Sequence, residues 1–471
     1  MRDLTCDLLI IGAGSGGLSL AAGASQMGAD VILLEGHKMG GDCLNYGCVP
    51  SKALLASGHA AHAQAHGAAF GLADQQPVVD YAAAKAHVQG VIDSIAPVDS
   101  QERFEGFGVR VLRAEGRFVD AKTVEAGEDR ITARRIVIAT GSRPFVPPIS
   151  GLDQVPFLTN ETLWALTEHP AHLIIIGGGP IGMEMAQAHR RLGSQVTVIE
   201  AQTAMGREDP EAAAQLLEAL RGEGIAILER TEAQSVHQEG AEIVVETPTG
   251  AIRGSHLLVA VGRVPNVESL NLGVAGIETT RGGIKTDASL RTTNPKVYAI
   301  GDVAGQGQFT HLAGFHASVV IRSILFGLPA KVKTSHIPRA TYTDPELAQV
   351  GQTEAEARKA YGAALEVVRF DYAHNDRAIA TRQARGFIKV MVVKGRPVGA
   401  TIVGPQAGEL IATWSLALAN RLKMSQIAAM VAPYPTIAEL NKRVAGAYFS
   451  PRLFENTFVK RVVRLIQRWL P

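Results

Sequence analysis

The sequence predicts an α/β chain: two strand–glycine turn–helix–strand units, then a separate C-terminal domain of mixed α+β pattern. Three observations carry this. A short apolar run at 8–11 meets Gly12-Ala13-Gly14-Ser15-Gly16-Gly17, then an alanine-rich helix to about Met27 and a second strand at 31–34 that closes on Glu35. The same grammar returns at 173–176, Gly177-Gly178-Gly179-Pro180-Ile181-Gly182, a helix to about Leu192, a strand at 196–199 and Glu200. Beyond about residue 336, strand-like runs at 387–393 and 398–403 precede a helix over 409–421, with no further glycine fingerprint.

The bulk properties agree. A chain of 471 residues holds about three domains. With 46% apolar and 19% charged residues it can build ordinary cores. A net charge of +1 argues against a dedicated nucleic-acid binder. No apolar run reaches the length of a membrane span, and the first residues do not read as a signal peptide. Three cysteines (Cys6, Cys43, Cys48) suit a reducing cytosol rather than a disulfide scaffold.

Each glycine of Gly12-x-Gly14-x-x-Gly17 has a task. The first allows the tight turn, the second lets backbone approach a pyrophosphate, and the third lets helix and strand pack closely. The helix N-terminus then offers free N–H groups to phosphates. Glu35 stands where ribose hydroxyls would be met. Gly177, Gly179, Gly182 and Glu200 repeat the arrangement, so the chain carries two dinucleotide sites. A carboxylate at 200 bonds a free 2′-hydroxyl and repels a 2′-phosphate, so NADH is expected over NADPH; Arg207 is the nearest arginine. Shorter strands end in Ala139-Thr140-Gly141, Ala260-Val261-Gly262 and Gly301-Asp302.

The segment from Gly40 to Lys52 spaces Cys43 and Cys48 by four residues. A structural disulfide closing so short a loop gains only about 2 kcal/mol. Two such cysteines without paired histidines do not close a zinc site. A redox pair fits better: Pro50 suits the first turn of a helix, which places Cys48 near a helix N-terminus where a thiolate is favoured.

With these residues in view, the chain resembles the flavoprotein disulfide reductases, a family that includes dihydrolipoamide dehydrogenase, glutathione reductase and mercuric reductase. The resemblance rests on both fingerprints, on Gly40-Gly41-Asp42-Cys43 through Cys48-Val49-Pro50-Ser51-Lys52, on Ala139-Thr140-Gly141 and on Gly301-Asp302. It implies two Rossmann-like dinucleotide-binding domains plus an α+β dimerisation domain. FAD would lie on the first fingerprint and NAD(P)H on the second. The implied division is 1–148 and 265–335 for FAD, 149–264 for NAD, 336–450 for dimerisation and 451–471 as a tail. A two-fold homodimer would complete each active site. Gly301-Asp302 would lie against the flavin ribityl chain and Thr310-His311 under its pyrimidine. The implied relay runs from NADH to flavin, to Cys48, to the interchange thiol Cys43 and on to the acceptor. Lys52 and Glu184 match the pair beside flavin N5.

Three features depart from that family. Its catalytic His-Pro-Thr-x-x-Glu is here Tyr434-Pro435-Thr436-Ile437-Ala438-Glu439. A phenol titrates near 10, an imidazole near 6.5, so Tyr434 is a poor base for a dithiol substrate. Mercuric reductases also carry tyrosine there, but end in a vicinal cysteine pair, whereas this sequence reads Trp469-Leu470-Pro471. Asp42 replaces the usual threonine. It either raises the Cys43 thiol pKa, attracts a cationic substrate, or simply points away or caps a turn.

His59, His62 and His66 follow Lys52; a metal relay is one reading, a solvated helix face the other. From 453 to 470, Phe454, Phe458, Val462, Leu465, Ile466 and Trp469 take one helical side, and Lys460, Arg464 and Arg468 another, with Arg461 between. Such a helix either lies on a membrane surface or packs on the dimer.

Three functions follow as expectations. The first is an NADH-dependent FAD enzyme passing electrons to a small disulfide or soft metal ion. The second is a dihydrolipoamide dehydrogenase. The third is a membrane-surface redox partner or sensor.

Overall fold

A computed structural model describes residues 1–470. The chain forms two compact units, Met1–Ala201 with Arg230–Val332, and Gln202–Glu229 with the residues from Lys333 onward.

The first unit is built on a parallel sheet. Strand Arg2–Ile11 pairs with Val31–Leu34 on one side, in the register Leu8↔Val31 to Ile11↔Leu34, and with Asp129–Ile138 on the other. Arg110–Leu112 extends one edge beyond Val31–Leu34. Asp129–Ile138 has two further partners, an antiparallel strand Thr123–Ala126 at its start and a parallel strand Val297–Ala299 at its end. The central strands are unbroken apolar runs because both sheet faces are covered: Leu9, Ile10, Ile32 and Val137 have no exposed surface. Helix Ser15–Gln26 packs along the sheet and on helix Thr310–Phe326, where Gly16 and Gly23 leave room for Ala313 and Ile321.

A second parallel set in the same unit orders Gln195–Glu200, His172–Ile176 and His256–Val259. Helix Pro180–Arg191 follows His172–Ile176, as Ser15–Gln26 follows Arg2–Ile11. An antiparallel meander, Ser235–Glu239, Glu242–Thr247 and Gly250–Gly254, closes its core with Ile174, Val245 and Leu257.

The second unit carries a five-stranded antiparallel sheet ordered Arg339–Thr341, Glu346–Gly351, Arg396–Gly404, Phe387–Val393, Leu365–Asp371. Helices Ala407–Ala419 and Glu439–Phe454 bury Trp414, Leu440 and Val444 with it. Asn441 accepts from the Trp414 indole at 2.7 Å, so that ring's polar edge is satisfied inside the core. Lys389, nearly buried, is ringed by Asp209, Glu211 and Glu354, three carboxylates of the same unit.

The fold is the expected α/β class: two Rossmann-like dinucleotide-binding parts and an α+β C-terminal part. The boundaries differ in detail. The one expected at 264/265 falls inside strand Arg263–Pro265, which pairs with Ser142–Pro144. The one at 450/451 falls inside helix Glu439–Phe454. Residues 202–229 group with the C-terminal unit, although they were expected within 149–264. Sequence punctuation marks where a motif ends, not which core its residues join. The tail also differs from a single helix. It breaks at Glu455, and Asn456 caps a new helix, Thr457–Trp469, by accepting from the Phe458 and Val459 N–H groups. Phe454 therefore ends the preceding helix.

Candidate active site

The two glycine turns are shaped alike. Gly12 has φ +110°, and a Cβ there would lie 2.5 Å from the Ala139 carbonyl oxygen. A Cβ on Gly17 would lie 1.9 Å from the Gly12 oxygen. Gly177 and Gly182 repeat this, at 2.4 Å from the Ala260 oxygen and 2.0 Å from the Gly177 oxygen. The middle glycines differ in kind, because they face open space. Gly14 meets only Gly41 Cα, at 4.0 Å, and Gly179 meets nothing within 4 Å. Both serve as helix N-caps without side-chain caps, which leaves first-turn N–H groups to an anion. The residues present thus fit a pyrophosphate at each turn.

The acids are tied to the same turns. Glu35 accepts from Ala13 N–H at 2.8 Å and His37 N–H at 2.7 Å. Glu200 accepts from Gly178 N–H at 2.7 Å. Each carboxylate thus fixes the residue after its first glycine.

Gly41 opens a short helix, Gly41–Asn45, against the first turn, where a Cβ on it would lie 2.7 Å from Gly14 Cα. Cys43 sits on this helix, and Cys48 begins the next, Cys48–Ala65, with Pro50 in its first turn. Both cysteines are free thiols, Cys43 half-buried and Cys48 exposed. They share a hydrogen bond that lowers the pKa of Cys48, to about 6, and raises that of Cys43; burial raises Cys43 further. Thr310 Oγ1, 3.5 Å from Cys48 Sγ, and the Lys52 charge also favour a thiolate at Cys48.

Helix Cys48–Ala65 packs on helix Pro180–Arg191, since Gly58 lets it approach Ala188. That brings Lys52 Nζ to 2.7 Å from Glu184 Oε2, with Glu184 buried. Glu184 is thus a buried, paired acid rather than an ordinary acid of a helix surface. Thr140 donates to the Asn266 carbonyl at 2.7 Å, and Gly141 and Gly262 turn with φ +65° and +135°. Gly301 N–H donates to His316 Nδ1 at 3.1 Å. Asp302 accepts from Ser142 Oγ at 2.6 Å, and its burial raises its pKa. His311 stacks on Phe309.

Asp42 neither floats free nor dominates Cys43. Its Oδ1 lies 3.0 Å from Arg263 Nη2 and accepts from Asn160 Nδ2 at 3.2 Å. Its charge is the least of the influences raising Cys43. Arg263 also donates to Ser142 Oγ and Ser142 O, at 2.8 and 2.7 Å. Trp164 Nε1 donates to the Tyr46 carbonyl at 2.8 Å, and Asn160 reaches the same oxygen at 3.4 Å. Beneath Trp164 lies the buried Lys85, donating to Leu163 O at 2.9 Å; burial lowers its pKa to about 8. Arg263, Ser142, Asn160, Trp164 and Lys85 were not singled out from the sequence. None lies in a fingerprint, so no local signal marks them.

Tyr434 and Glu439 belong to the second unit. Tyr434 is exposed, and its hydroxyl donates to Asp376 Oδ2 at 2.8 Å, which raises its pKa. Glu439 begins helix Glu439–Phe454 and faces Arg443 at 3.9 Å. His62 and His66 stack with ring centroids 4.1 Å apart, and His59 meets Arg191. Among the described residues no group of three or more histidine, cysteine or acidic side chains is placed to hold a metal.

The chain belongs to the pyridine nucleotide-disulphide oxidoreductases: residues 6–317 match that family and residues 337–445 its dimerisation domain. It is accordingly an FAD-dependent enzyme that uses a pyridine nucleotide, and the dimerisation domain supports a homodimer. Among its relatives are mercuric reductases. That of Acidithiobacillus ferrooxidans is 35% identical over 94% of this chain and 82% of its own length; that of Streptomyces lividans is 34% identical over 94% and 96%. Similar solved structures include the Cu(II) complex of the HOCl-induced flavoprotein disulfide reductase RclA from Escherichia coli, with TM-score 0.84, 28% identity and coverage of 93% of this chain and 99% of that one. LpdA from Mycobacterium tuberculosis gives TM-score 0.86 at 26% identity, covering 95% and 99%.

Proposed function

We propose that this enzyme takes electrons from NADH and delivers them through FAD and the Cys43–Cys48 pair to a soft metal ion, or to a small disulfide. The observation that carries the reading is the asymmetry of the two thiols, one stabilised as a thiolate beside Thr310 and Lys52, the other held protonated. FAD bound to this chain would supply the two-electron chemistry that links the nicotinamide to the cysteine disulfide. Gly12, Gly14, Gly17, Glu35 and Gly41 would hold it, with Thr140, Gly141, Gly301, Asp302, Thr310 and His311 along its length. Gly177, Gly179, Gly182, Glu200 and Gly262 would hold NADH. Lys52, oriented by Glu184, supplies positive charge where negative charge develops. Cys48 is the flavin-side thiolate and Cys43 the thiol that meets the acceptor.

The acceptor follows from the proton balance. Cys43 must lose its proton to react. Tyr434 cannot take it, because its own hydroxyl is engaged with Asp376 and its pKa is raised. A soft metal cation drives the proton off by binding sulfur. Dihydrolipoamide oxidation is disfavoured on the same balance, because there the substrate's own thiol has to lose its proton and Tyr434 offers no base for it. The mercuric relatives and the copper complex of RclA agree with the preference.

The test is an anaerobic NADH titration, followed by a panel of Hg(II), Cu(II), small disulfides and lipoamide. A long-wavelength thiolate–flavin band after two reducing equivalents, and metal turnover abolished in Cys43→Ser, are expected. Turnover unchanged in Cys43→Ser overturns the reading.

A further inference from the structure

Helix Thr457–Trp469 is the most strongly two-sided element of the chain. At 100° per residue, Phe458, Val459, Val462, Val463, Leu465, Ile466 and Trp469 fall within an arc of about 160°, and every polar residue lies outside it. The polar arc carries Lys460, Arg461, Arg464 and Arg468 and no acid. An apolar stripe this wide normally faces a core. Here no residue of the helix is buried. Only Val459 and Val462 are half-covered, while Phe458 is 71% and Trp469 79% exposed.

We propose that this helix lies on an anionic phospholipid surface, its aromatic side at the acyl boundary and its four cations among the headgroups. The proposal is independent of the electron path above. Charge chooses the occupant. The whole chain nets only +1, so the rest of it is net negative and the cationic stripe is local. A second copy seated two-fold on this face would set four cations against four with no acid in the helix to offset them. Phe458 and Trp469, near opposite ends of the apolar side, suit the interface between lipid chains and water. The helix is too short to cross a bilayer, and no helix among the described residues is long and apolar enough to do so.

The experiment uses the full-length FAD-loaded enzyme and flotation with vesicles of phosphatidylglycerol mixed into phosphatidylcholine, or of phosphatidylcholine alone. Binding to the anionic vesicles, weakened by salt and absent on the neutral ones, is expected. Arg464→Glu/Arg468→Glu and Leu465→Glu/Trp469→Ser should each reduce partitioning on the order of a hundred-fold while leaving NADH oxidation unchanged. The proposal is overturned if wild-type enzyme stays unbound, or if both variants float as it does. It is equally overturned if Leu465→Glu/Trp469→Ser dissociates the dimer on a sizing column, since the helix is then a contact between copies. A variant that fails to fold leaves the lipid and salt dependence of wild type to decide.

Discussion

Asp42 and Arg263 form an ion pair at 3.0 Å that ties the short helix carrying Cys43 to the strand that pairs with Ser142–Pro144. Arg263 is the more buried partner, with 11% of its side chain exposed against 37% for Asp42. Asp42→Ala should therefore cost about 1 kcal/mol in denaturant unfolding, the modest value of a partly solvated pair plus one stranded cation. It should leave the alkylation inflection of Cys43 essentially where it is, because the Asp42 charge is the smallest influence on that thiol. A large fall in that inflection would show that the carboxylate, not the Cys48 contact and burial, holds the proton on.

The thiolate at Cys48 sets a pH dependence. Its folded pKa, about 6, lies below the ordinary thiol value, so its stabilising contribution is fully present above the unfolded pKa near 9 and is lost as pH falls through 6. Cys43 has the opposite sign, since its raised pKa removes stability above about 9. The reduced enzyme should gain stability relative to the oxidised enzyme from pH 6 upward and lose the gain again beyond about 9. Calorimetry of both forms across that range measures it. Iodoacetamide labelling of reduced enzyme should begin near pH 6, and Cys43→Ala should move that onset upward by removing the hydrogen bond that does most to lower it.

Glu200 has two separable tasks, a negative charge and an acceptor for Gly178 N–H. Glu200→Gln keeps an acceptor oxygen and drops the charge. It should raise kcat/KM for NADPH relative to NADH by about ten-fold, the equivalent of 1.4 kcal/mol of relieved repulsion. Glu200→Ala should weaken both nucleotides, because the glycine turn loses its tie. Steady-state kinetics with the two nucleotides separates the two roles.

Tyr434→His restores an imidazole where this chain has a phenol. If the missing base is what limits dithiol oxidation, dihydrolipoamide turnover should rise by about 10²–10⁴-fold and acquire an inflection near 6.5. Metal-ion turnover should change far less. Equal effects on both acceptors would show that Tyr434 acts on something other than the proton of the substrate thiol.

Much of the site was legible because its parts are local. Gly17 is held to glycine by the Gly12 oxygen five residues before it, and Gly182 by the Gly177 oxygen, so each turn announces itself within its own few residues. The Cys43–Cys48 spacing spans a single helix start. What the sequence hid is long-range. Arg263 meets Asp42 from 221 positions away in the chain, Trp164 meets Tyr46 from 118, and no periodicity links them. The break before Asn456 was hidden for another reason. The hydrophobic period runs on across it, while a single Asn side chain bonding two N–H groups starts a new helix.

The Trp164 and Asn160 bonds to the Tyr46 carbonyl have a mechanical consequence. Tyr46 lies on the short bridge between the two sulfurs, and a strap with a buried ammonium beneath it staples that bridge down. On the proposed electron path Cys43 would then be a stationary contact rather than a swinging arm. The oxidant would have to be carried in to a fixed terminal, and the size of the approach, not the reach of the thiol, would set which oxidants can be discharged there.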